Sequence, residues 1–472
     1  MGSVRLGVKI AVVLALVLII LVPLSMIRGT IAERQQFRVQ AVDAVARSFA
    51  GAQGIAGPVL VVPYREQVEV EERDAQGVLH KQKRVVERQW QFFPKTMRVA
   101  GKVVPSVRER GLHKVRVYEL QAGVEASFDV RLPDADPAHP RTIGTPWLNI
   151  GIKDVRGLVG TPVLKLGKTT VVIAQGQRGH SGGGVHAVLP ASLLVEGRLA
   201  FPVQLDFAVR GTEALAIAPL ADSNRIVLDS AWPHPQFNGD FLPRTHRIDA
   251  KGFHAEWEVS SLASNAQDQY RNGSNLSPGG LGAEEDAMQA MSSRGEAARA
   301  GSIDAIGLSL VEPVNLYSKV DRASKYGLLF VVLTFVGFFL FETIRQLPIH
   351  PIQYALVGLA LAIFFLLLLS LSEHIDFGWA YLAASIGCIG LIGVYVGNVL
   401  RSGMRGMGFA AMLALLYAAL YGLLVSEDNA LVLGSGLLFG ILAALMLATR
   451  KIDWYQVAAR TGQTAASPKL AE

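Results

Sequence analysis

A serine and a histidine in a glycine-rich string have the clearest potential for chemistry, in Gly179-His180-Ser181-Gly182-Gly183. The string matches the G-x-S-x-G pattern, in which a strand precedes the serine, a helix follows it, and the sharp turn exposes a nucleophile. A strand-like segment precedes it here, but residues 184–190 are typical of a second strand. The sequence therefore predicts a glycine-rich turn, and a serine hydrolase using Ser181 is the least favoured candidate function.

Neither a nucleotide site nor a metal site is predicted. Gly167-Lys168-Thr169 resembles the end of a phosphate-binding loop, but Pro162 occupies the position where that motif needs its first glycine. The single cysteine, Cys388, excludes a disulfide framework or a cysteine-built metal site. Five histidines of the polar region lack an i,i+4 partner or a carboxylate at ligand spacing: His180, His186, His234, His246 and His254. We expect no cofactor, no metal and no catalytic residue.

Ionisable residues beside long apolar runs are the weak functional candidates: Glu342, Glu373 and His374. A charged group inside a bilayer costs several kcal/mol unless it is paired or hydrated, so its presence points to function. The alternative is that each lies within one helical turn of the interface and meets water or headgroups. Glu342 and Glu373 each end a helix, but they are expected on opposite sides of the bilayer, about 30 Å apart, which disfavours a direct proton relay between them.

The distribution of apolar residues along the chain predicts the elements that position these residues. The chain is 51% hydrophobic and 18% charged, with a mean hydropathy of +0.33, but the apolar residues concentrate in 326–447 while 28–325 is polar. Six runs approach the ~20 apolar residues that cross a bilayer as a helix: 8–27, 326–341, 352–371, 377–400, 407–425 and 430–447. The sequence predicts a polytopic α-helical membrane protein with a large β-rich external domain between its first and second spans.

Basic residues predict the orientation, because short loops rich in Lys and Arg stay in the cytoplasm. The residues that would share that side are Arg5, Lys9, Arg345, Arg401, Arg405, Arg450, Lys451, Arg460 and Lys469. We therefore predict cytoplasmic termini, a cytoplasmic tail at 448–472 and an external domain at 28–325. The first run exceeds the usual 7–15-residue core of a signal peptide and lacks an Ala-x-Ala-like site, so we expect an uncleaved anchor. Cleavage would leave five spans.

The external domain begins with a helical stalk and continues as strands. Phe37, Ala41, Val45 and Phe49 recur every fourth residue, which is typical of a helix with one apolar face. Gly57-Pro58 is expected to end it. Alternating β-branched and aromatic residues then predict a long hairpin from 59–72 and 78–93. Further strands are predicted at 114–120, 124–132, 146–153, 169–174, 200–210, 214–219 and 225–230. These short strands suggest a sandwich or related sheet architecture, with a flexible insertion near 264–306 that holds a short helix around 283–298.

The net charge of +6 does not indicate a nucleic-acid partner. Residues 28–325 carry 36 basic and 32 acidic side chains, and the basic ones form no dense stripe with interleaved aromatics. The lipid bilayer is the partner that composition predicts.

Strings throughout the chain resemble the CreD family of bacterial inner-membrane proteins, also described as cell-envelope integrity proteins. The similar strings include 57–60, 151–158, 232–237, 239–243, 338–342, 350–354, 371–374 and 452–455. The resemblance implies a Gram-negative inner-membrane location, a link to envelope integrity and control by a two-component system. It brings no catalytic or binding residues with it, and residues 264–306 do not share it.

Two further functions therefore compete with the hydrolase. The first is non-enzymatic support of the envelope or of its stress response, in which the external domain meets a periplasmic, lipid or cell-wall partner. The second is a transporter or channel component for a lipid or small solute. Four glycines of the fourth run, Gly387, Gly390, Gly393 and Gly397, suit close helix packing, and the membrane-edge acids would serve a pathway.

Overall fold

The chain forms two compact units in the computed structural model, which describes residues 2–73, 79–134, 140–276, 302–310, 316–345, 350–399, 402–426 and 430–450. A membrane unit comprises Met1–Phe37 and Val314–Glu472, and a β-rich unit comprises Arg38–Pro313. The β-rich unit begins later and ends earlier than the predicted external domain, 28–325.

The described residues form eight α-helices and eighteen strands. The helices are α1 Gly2–Ser48, α2 Ala266–Arg271, α3 Leu316–Lys325, α4 Gly327–Arg345, α5 Pro351–Ser372, α6 Phe377–Val399, α7 Gly403–Val425 and α8 Ala430–Thr449. The strands are β1 Gln53–Arg73, β2 Leu79–Phe92, β3 Thr96–Arg110, β4 His113–Arg131, β5 Arg141–Ile143, β6 Trp147–Ile152, β7 Leu158–Leu166, β8 Thr169–Val171, β9 Ile173–Gln175, β10 Gly184–Val188, β11 Leu194–Val195, β12 Arg198–Thr212, β13 Ala214–Ile217, β14 Ser223–Ser230, β15 Gln236–Gly239, β16 Thr245–Asp249, β17 Gly252–Ser260 and β18 Ile306–Ser309.

The β-rich unit contains two sheets that share one hydrophobic core. The first runs β15-β18-β13-β1-β6-β10-β9, with β2 and β5 also paired to β1. The second runs β16-β17-β14-β3-β4-β12-β7-β8, with β11 paired to β12. In β3, β12 and β14, buried and exposed residues alternate, so each strand turns one face to the core. The core draws side chains from both sheets, among them Leu60, Val124, Leu148 and Trp257. The predicted β-rich fold is confirmed.

The predicted long hairpin is also confirmed. β1 and β2 pair antiparallel from Leu60 opposite Phe92 to Arg73 opposite Leu79. Residues 74–78, which connect the two strands, lie outside the described residues. β1 additionally pairs with β6 and, in parallel, with β13. It is therefore the strand around which the first sheet is arranged.

The stalk helix is confirmed, but its predicted end is wrong. α1 ends at Ser48, and β1 runs through Gly57-Pro58, where its register against β6 shifts. Polar contacts just after the helix account for the earlier end: the Ala50 carbonyl accepts from Thr212 Oγ1 and the Gly51 N–H donates to Asp154. Ala41 and Val45 of the predicted stripe pack, together with Val42, against Val115 and Val117 of β4, whereas Phe37 is 41% exposed.

The membrane unit has four helices that are long and apolar enough to cross a bilayer, α1, α5, α6 and α7, among the described residues. α3 and α4 meet at a bend of 42° and give a fifth span if they are counted together. The apolar described part of α8, Val432–Ala443, is shorter than a span. Four to five spans are therefore supported, and the predicted total of six stays a prediction.

Small residues bring two of these helices close together. Gly393 and Gly397 of α6 face Ala410 and Gly406 of α7, where an added Cβ on Gly406 would lie 2.6 Å from the Gly397 Cα. Gly387 and Gly390 have no such neighbour among the described atoms. The prediction of close packing therefore holds for two of the four glycines.

Only the two ends of the predicted insertion at 264–306 belong to the described residues. α2 buries Tyr270 against Ala56, Val59 and Ile303, so this end is part of the folded unit. The short helix expected around 283–298 lies outside the described residues.

Candidate functional site

Glu373 joins three elements at one end of the membrane unit. It follows the last residue of α5, and its side chain is 8% exposed. The carboxylate Oε1 lies 3.5 Å from Arg34 Nε of α1 and accepts a hydrogen bond of 3.3 Å from the Tyr317 hydroxyl of α3. α1 and α3 also meet through Arg28 Nη2, which donates to the Ser324 carbonyl at 3.3 Å. We call Arg34, Tyr317 and Glu373 the Glu373 cluster.

The next residue, His374, does not join that cluster. Its side chain is exposed. Two residues later, Asp376 accepts a 2.9 Å hydrogen bond from the Gly378 N–H at the start of α6, which is the role of a helix N-cap. Of the predicted candidates at this end, Glu373 alone is enclosed by protein.

Glu342 is the most deeply buried of the predicted candidates. It lies on α4, is 4% exposed, and accepts a 2.8 Å hydrogen bond from the Tyr354 hydroxyl of α5. The residues before Tyr354 hold the start of α5 in place, since His350 Nδ1 accepts from the Ile352 N–H and Gln353 Oε1 accepts from the His350 N–H. This capping box fixes the first turn of α5 and with it the position of Tyr354. Glu342 and Glu373 thus accept hydrogen bonds from different tyrosines on different helices.

A third buried carboxylate, Glu213, contacts both the segment that enters the β-rich unit and the segment that leaves it. It lies between β12 and β13 with φ of 59°, and its side chain is 7% exposed. The carboxylate accepts from Arg38 Nη2 of α1 at 3.2 Å, and its backbone carbonyl accepts from the Leu310 N–H at 2.8 Å. Its own N–H donates to the Arg116 carbonyl. The chain thus enters and leaves the unit at one residue.

Sequence reasoning missed Glu213 and its partner. Arg34 and Arg38 lie four residues apart on α1, so they occupy the same face of the helix. Each contacts a buried carboxylate of its own unit. Two arginines spaced by one turn beside an apolar stripe were the available signal. Their partners Glu213 and Glu373 are far away in the sequence, and no local pattern indicated that they pair with these arginines.

Asp154 fixes the junction between α1 and β1. Its Oδ2 accepts from the Gly51 N–H at 3.1 Å, while the Arg156 guanidinium donates to both carboxylate oxygens. The pKa of Asp154 is lowered to about 2, chiefly by the side-chain hydrogen bond from Arg156. Burial opposes this shift, and the hydrogen bond from the Gly51 N–H adds to it. Gln53 completes the junction by donating to the carbonyls of Asp154 and Arg210, both at 2.8 Å.

The loop that contains Ser181 is a turn between two strands, as predicted. β9 precedes it and β10 follows it, so the helix that a nucleophile elbow requires does not follow. The His180 ring stacks on Tyr270 at 4.5 Å, its Nδ1 accepts from the Gly182 N–H, and its Nε2 lies 3.3 Å from the Tyr270 carbonyl. Both ring nitrogens of His180 are therefore engaged by backbone groups of other residues, an arrangement that does not favour His180 as a base for Ser181.

This loop borders a cavity of about 370 Å³ in the β-rich unit. Tyr270 forms part of the wall and donates to Gln177 Oε1 at 2.9 Å, and Gln177 in turn donates to the Gly183 carbonyl at 2.7 Å. Burial raises the pKa of the Tyr270 hydroxyl and lowers the pKa of the Lys153 ammonium, which also lines the cavity. These bonds hold the loop against α2.

The other histidines have separate local contacts. His186 Nδ1 lies 2.6 Å from the Gly176 carbonyl, and His254 Nδ1 lies 2.8 Å from Asp229. The rings of His234 and His246 pack on Trp232 and Phe237. Within the described ranges, no group of three or more His, Cys, Asp or Glu side chains is placed to hold a metal ion.

Comparison with known proteins points to one family. The family model described as "Inner membrane protein CreD" matches residues 5–455. The inner membrane protein CreD of Escherichia coli (strain K12) is 34% identical over 445 residues, which is 93% of this chain and 91% of that protein. The similarity therefore extends through both units.

Proposed function

Since the chain belongs to the CreD family of inner membrane proteins, we propose that it supports the integrity of the cell envelope or its response to stress, without enzymatic chemistry. In this proposal both termini are cytoplasmic, six helices cross the membrane, and the β-rich unit is periplasmic. The distribution of Lys and Arg in the short loops supports that orientation. Periplasmic, lipid or cell-wall molecules are the partners that such a unit would meet.

One observation carries the proposal: both ends of the β-rich unit are fastened at Glu213, by Arg38 and by Leu310. Removing one partner of a buried ion pair typically costs 3–5 kcal/mol, because the remaining charge stays buried. Arg38 is 26% exposed, so we expect a smaller cost, about 2–3 kcal/mol. Because the first and last segments of the β-rich unit both contact Glu213, the unit would keep a fixed structure where the chain connects it to the membrane helices. Such an arrangement supports a structural role at the membrane.

The described residues also favour a role without catalysis. The ring nitrogens of His180, next to Ser181, are engaged by backbone groups, and the carboxylates with the least exposure are engaged by arginine or tyrosine side chains. Glu66, for example, is 4% exposed and lies 2.7 Å from Arg141 and 3.2 Å from Arg88. These groups stabilise the fold instead of facing a shared cleft.

The test is complementation of a deletion strain in the native host. Deletion should raise sensitivity to membrane- and wall-directed agents under conditions in which the gene is expressed, and the wild-type chain should restore resistance. Arg38→Met should restore less, while the matched control Arg247→Met, at a side chain that is 81% exposed, should restore fully. Membrane levels of each variant are measured in parallel. Unchanged sensitivity of the deletion strain to every agent would overturn the proposal.

The alternative, a transporter or channel component for a lipid or small solute, is favoured by one observation. Glu342 is buried in the membrane unit next to Tyr354, and such a carboxylate is a default pointer to a pathway. Flux into proteoliposomes by the wild-type chain, but not by Glu342→Gln or Glu373→Ala, would establish transport. Equal flux from all three would remove both carboxylates from any such mechanism.

A further inference from the structure

The hairpin of β3 and β4 extends beyond the sheet to which it belongs. β14 accompanies β3 only from Thr96 to Val103, and β12 accompanies β4 only from Val117 onward. β3 and β4 continue to pair with each other up to Arg110 opposite His113. Residues 104–116 therefore form a two-stranded ribbon without a neighbouring strand among the described residues. We call this segment the β3–β4 ribbon.

The turn of the ribbon places an apolar side chain at its tip. The two residues of the turn are Gly111, with φ of +61°, and Leu112. Leu112 is 59% exposed, and Val107 on β3 is 44% exposed. Leu112 lies at the outermost position of this hairpin, where its apolar side chain is exposed to water without a favourable contact. At this position the side chain could enter an apolar phase without movement of the sheet.

Cationic side chains surround this apolar tip. Residues 107–114 contain Arg108, Arg110 and Lys114 but a single acid, Glu109. Arg108 contacts the Phe49 ring at 5.5 Å, while Arg110 and Lys114 make no side-chain hydrogen bond or ion pair with any described residue. An apolar tip with adjacent cations matches the boundary between acyl chains and phosphate headgroups.

The base of the ribbon lies against the helix that enters the membrane. Val115 and Val117 of β4 pack on Ala41, Val42 and Val45 of α1, and α1 continues without interruption back to Gly2. The β-rich unit is thus tethered to a lipid bilayer by the same helix that supports the ribbon. Charged residues along the ribbon edges also disfavour strand addition by a protein partner.

We propose that the tip of the β3–β4 ribbon binds the surface of the lipid bilayer. Leu112 enters the boundary between headgroups and acyl chains, and Arg110 and Lys114 contact lipid phosphates. This is a second membrane attachment of the β-rich unit, in addition to its covalent connections, and it goes beyond the proposed support of the envelope. It does not depend on that proposal.

The test measures the depth of position 112 in the full-length chain. Leu112→Cys is labelled with bimane and reconstituted in phosphatidylethanolamine–phosphatidylglycerol vesicles that contain increasing fractions of brominated phospholipid. Leu262→Cys is the matched control, because Leu262 belongs to the same unit and is 97% exposed. It lies just after the last residue of β17, Ser260. Cys388 is buried, so the wild-type chain measures background labelling.

Quenching at position 112 should exceed quenching at position 262 at least twofold. Val107→Cys provides a second position on the ribbon and should also be quenched more than position 262. Equal quenching at 112 and 262, or none at 112, would overturn the proposal. So would crosslinking of the tip to a protein in native membranes without quenching by lipid.

Charge reversal separates the contribution of the headgroups. Arg110→Glu combined with Lys114→Glu should reduce quenching at position 112 at least twofold in vesicles that contain phosphatidylglycerol. In vesicles of phosphatidylcholine alone, the same reversal should have a smaller effect, because the lipid is then neutral overall. An undiminished signal in the anionic vesicles would overturn the assignment of these two side chains to lipid phosphates.

Discussion

Replacing Gly406 with alanine should force two membrane helices apart. The new Cβ would lie 2.6 Å from the Gly397 Cα and 2.9 Å from the Gly393 carbonyl oxygen. Ordinary Cβ contacts begin at 3.4 Å, so α6 and α7 would have to separate by about 0.8 Å. Both obstructing groups are backbone, which moves only with its helix. Overpacking of this kind costs ~1–3 kcal/mol, and the better helix propensity of alanine returns ~0.5–1 kcal/mol. We expect a net loss of about 1–2 kcal/mol.

The assay is unfolding of the full-length protein in mixed micelles by titration with dodecyl sulfate, followed by circular dichroism. Gly408→Ala is the matched control, because it lies on the same helix and its new Cβ would meet no heavy atom within 4 Å among the described residues. It should leave stability unchanged or raise it slightly. If the two variants had equal stability, α6 and α7 would not be in close contact in the protein.

Three further outcomes follow from the polar contacts. Asp154→Asn should lower the free energy of unfolding at pH 7 by at most about 2 kcal/mol, because the pKa of Asp154 is lowered to about 2. In the wild-type chain this stabilisation is complete above pH ~4 and is lost as the pH falls towards ~2; denaturant titrations at several pH values should show that the variant lacks this loss. Tyr354→Phe should destabilise the membrane unit by about 1–3 kcal/mol, since it removes the hydrogen bond to Glu342, and a thermal scan that placed it level with Tyr395→Phe would contradict this. Ser181→Ala and the wild-type chain should react equally with a fluorophosphonate probe, and selective labelling of the wild type would restore the hydrolase interpretation.

Local sequence patterns were sufficient for elements whose structure depends on neighbouring residues. The fourfold spacing of Phe37, Ala41, Val45 and Phe49 gave the stalk correctly, because one face of α1 packs on β4. The β1–β2 hairpin was equally accessible, since both strands alternate and follow each other directly. The end of α1 could not be predicted in this way, because it depends on Thr212 and Asp154, which are remote in the sequence.

Two central parts of the second sheet were missed for different reasons. β3 lies between β14 and β4, but Gly101 and Pro105 reduce its apparent strand propensity. Gly101 is tolerated because Leu120 and Leu228 occupy the space beside it. In β17 the alternation of Phe253, Ala255 and Trp257 is a signal from which the strand could have been predicted.

The candidate site was only partly accessible to sequence reasoning. Apolar context singled out Glu342 and Glu373, and both side chains are buried in the structure. It gave no information on the identity of those partners, Tyr354, Arg34 and Tyr317, because each pair is brought together by the packing of separate helices.

The pairing of β1 has a consequence for biosynthesis. Its first residues pair with β13, and β13 pairs with β18, so the first sheet is complete only when residue 309 has been made. That is about 250 residues after Gln53, or roughly 13–50 s at a synthesis rate of ~5–20 residues per second. Within this interval the edge of β1 is open to incorrect pairing until β13 has been made, and the edge of β13 is then open until β18 has been made. The first sheet is therefore completed only just before α3 and α4 are synthesised.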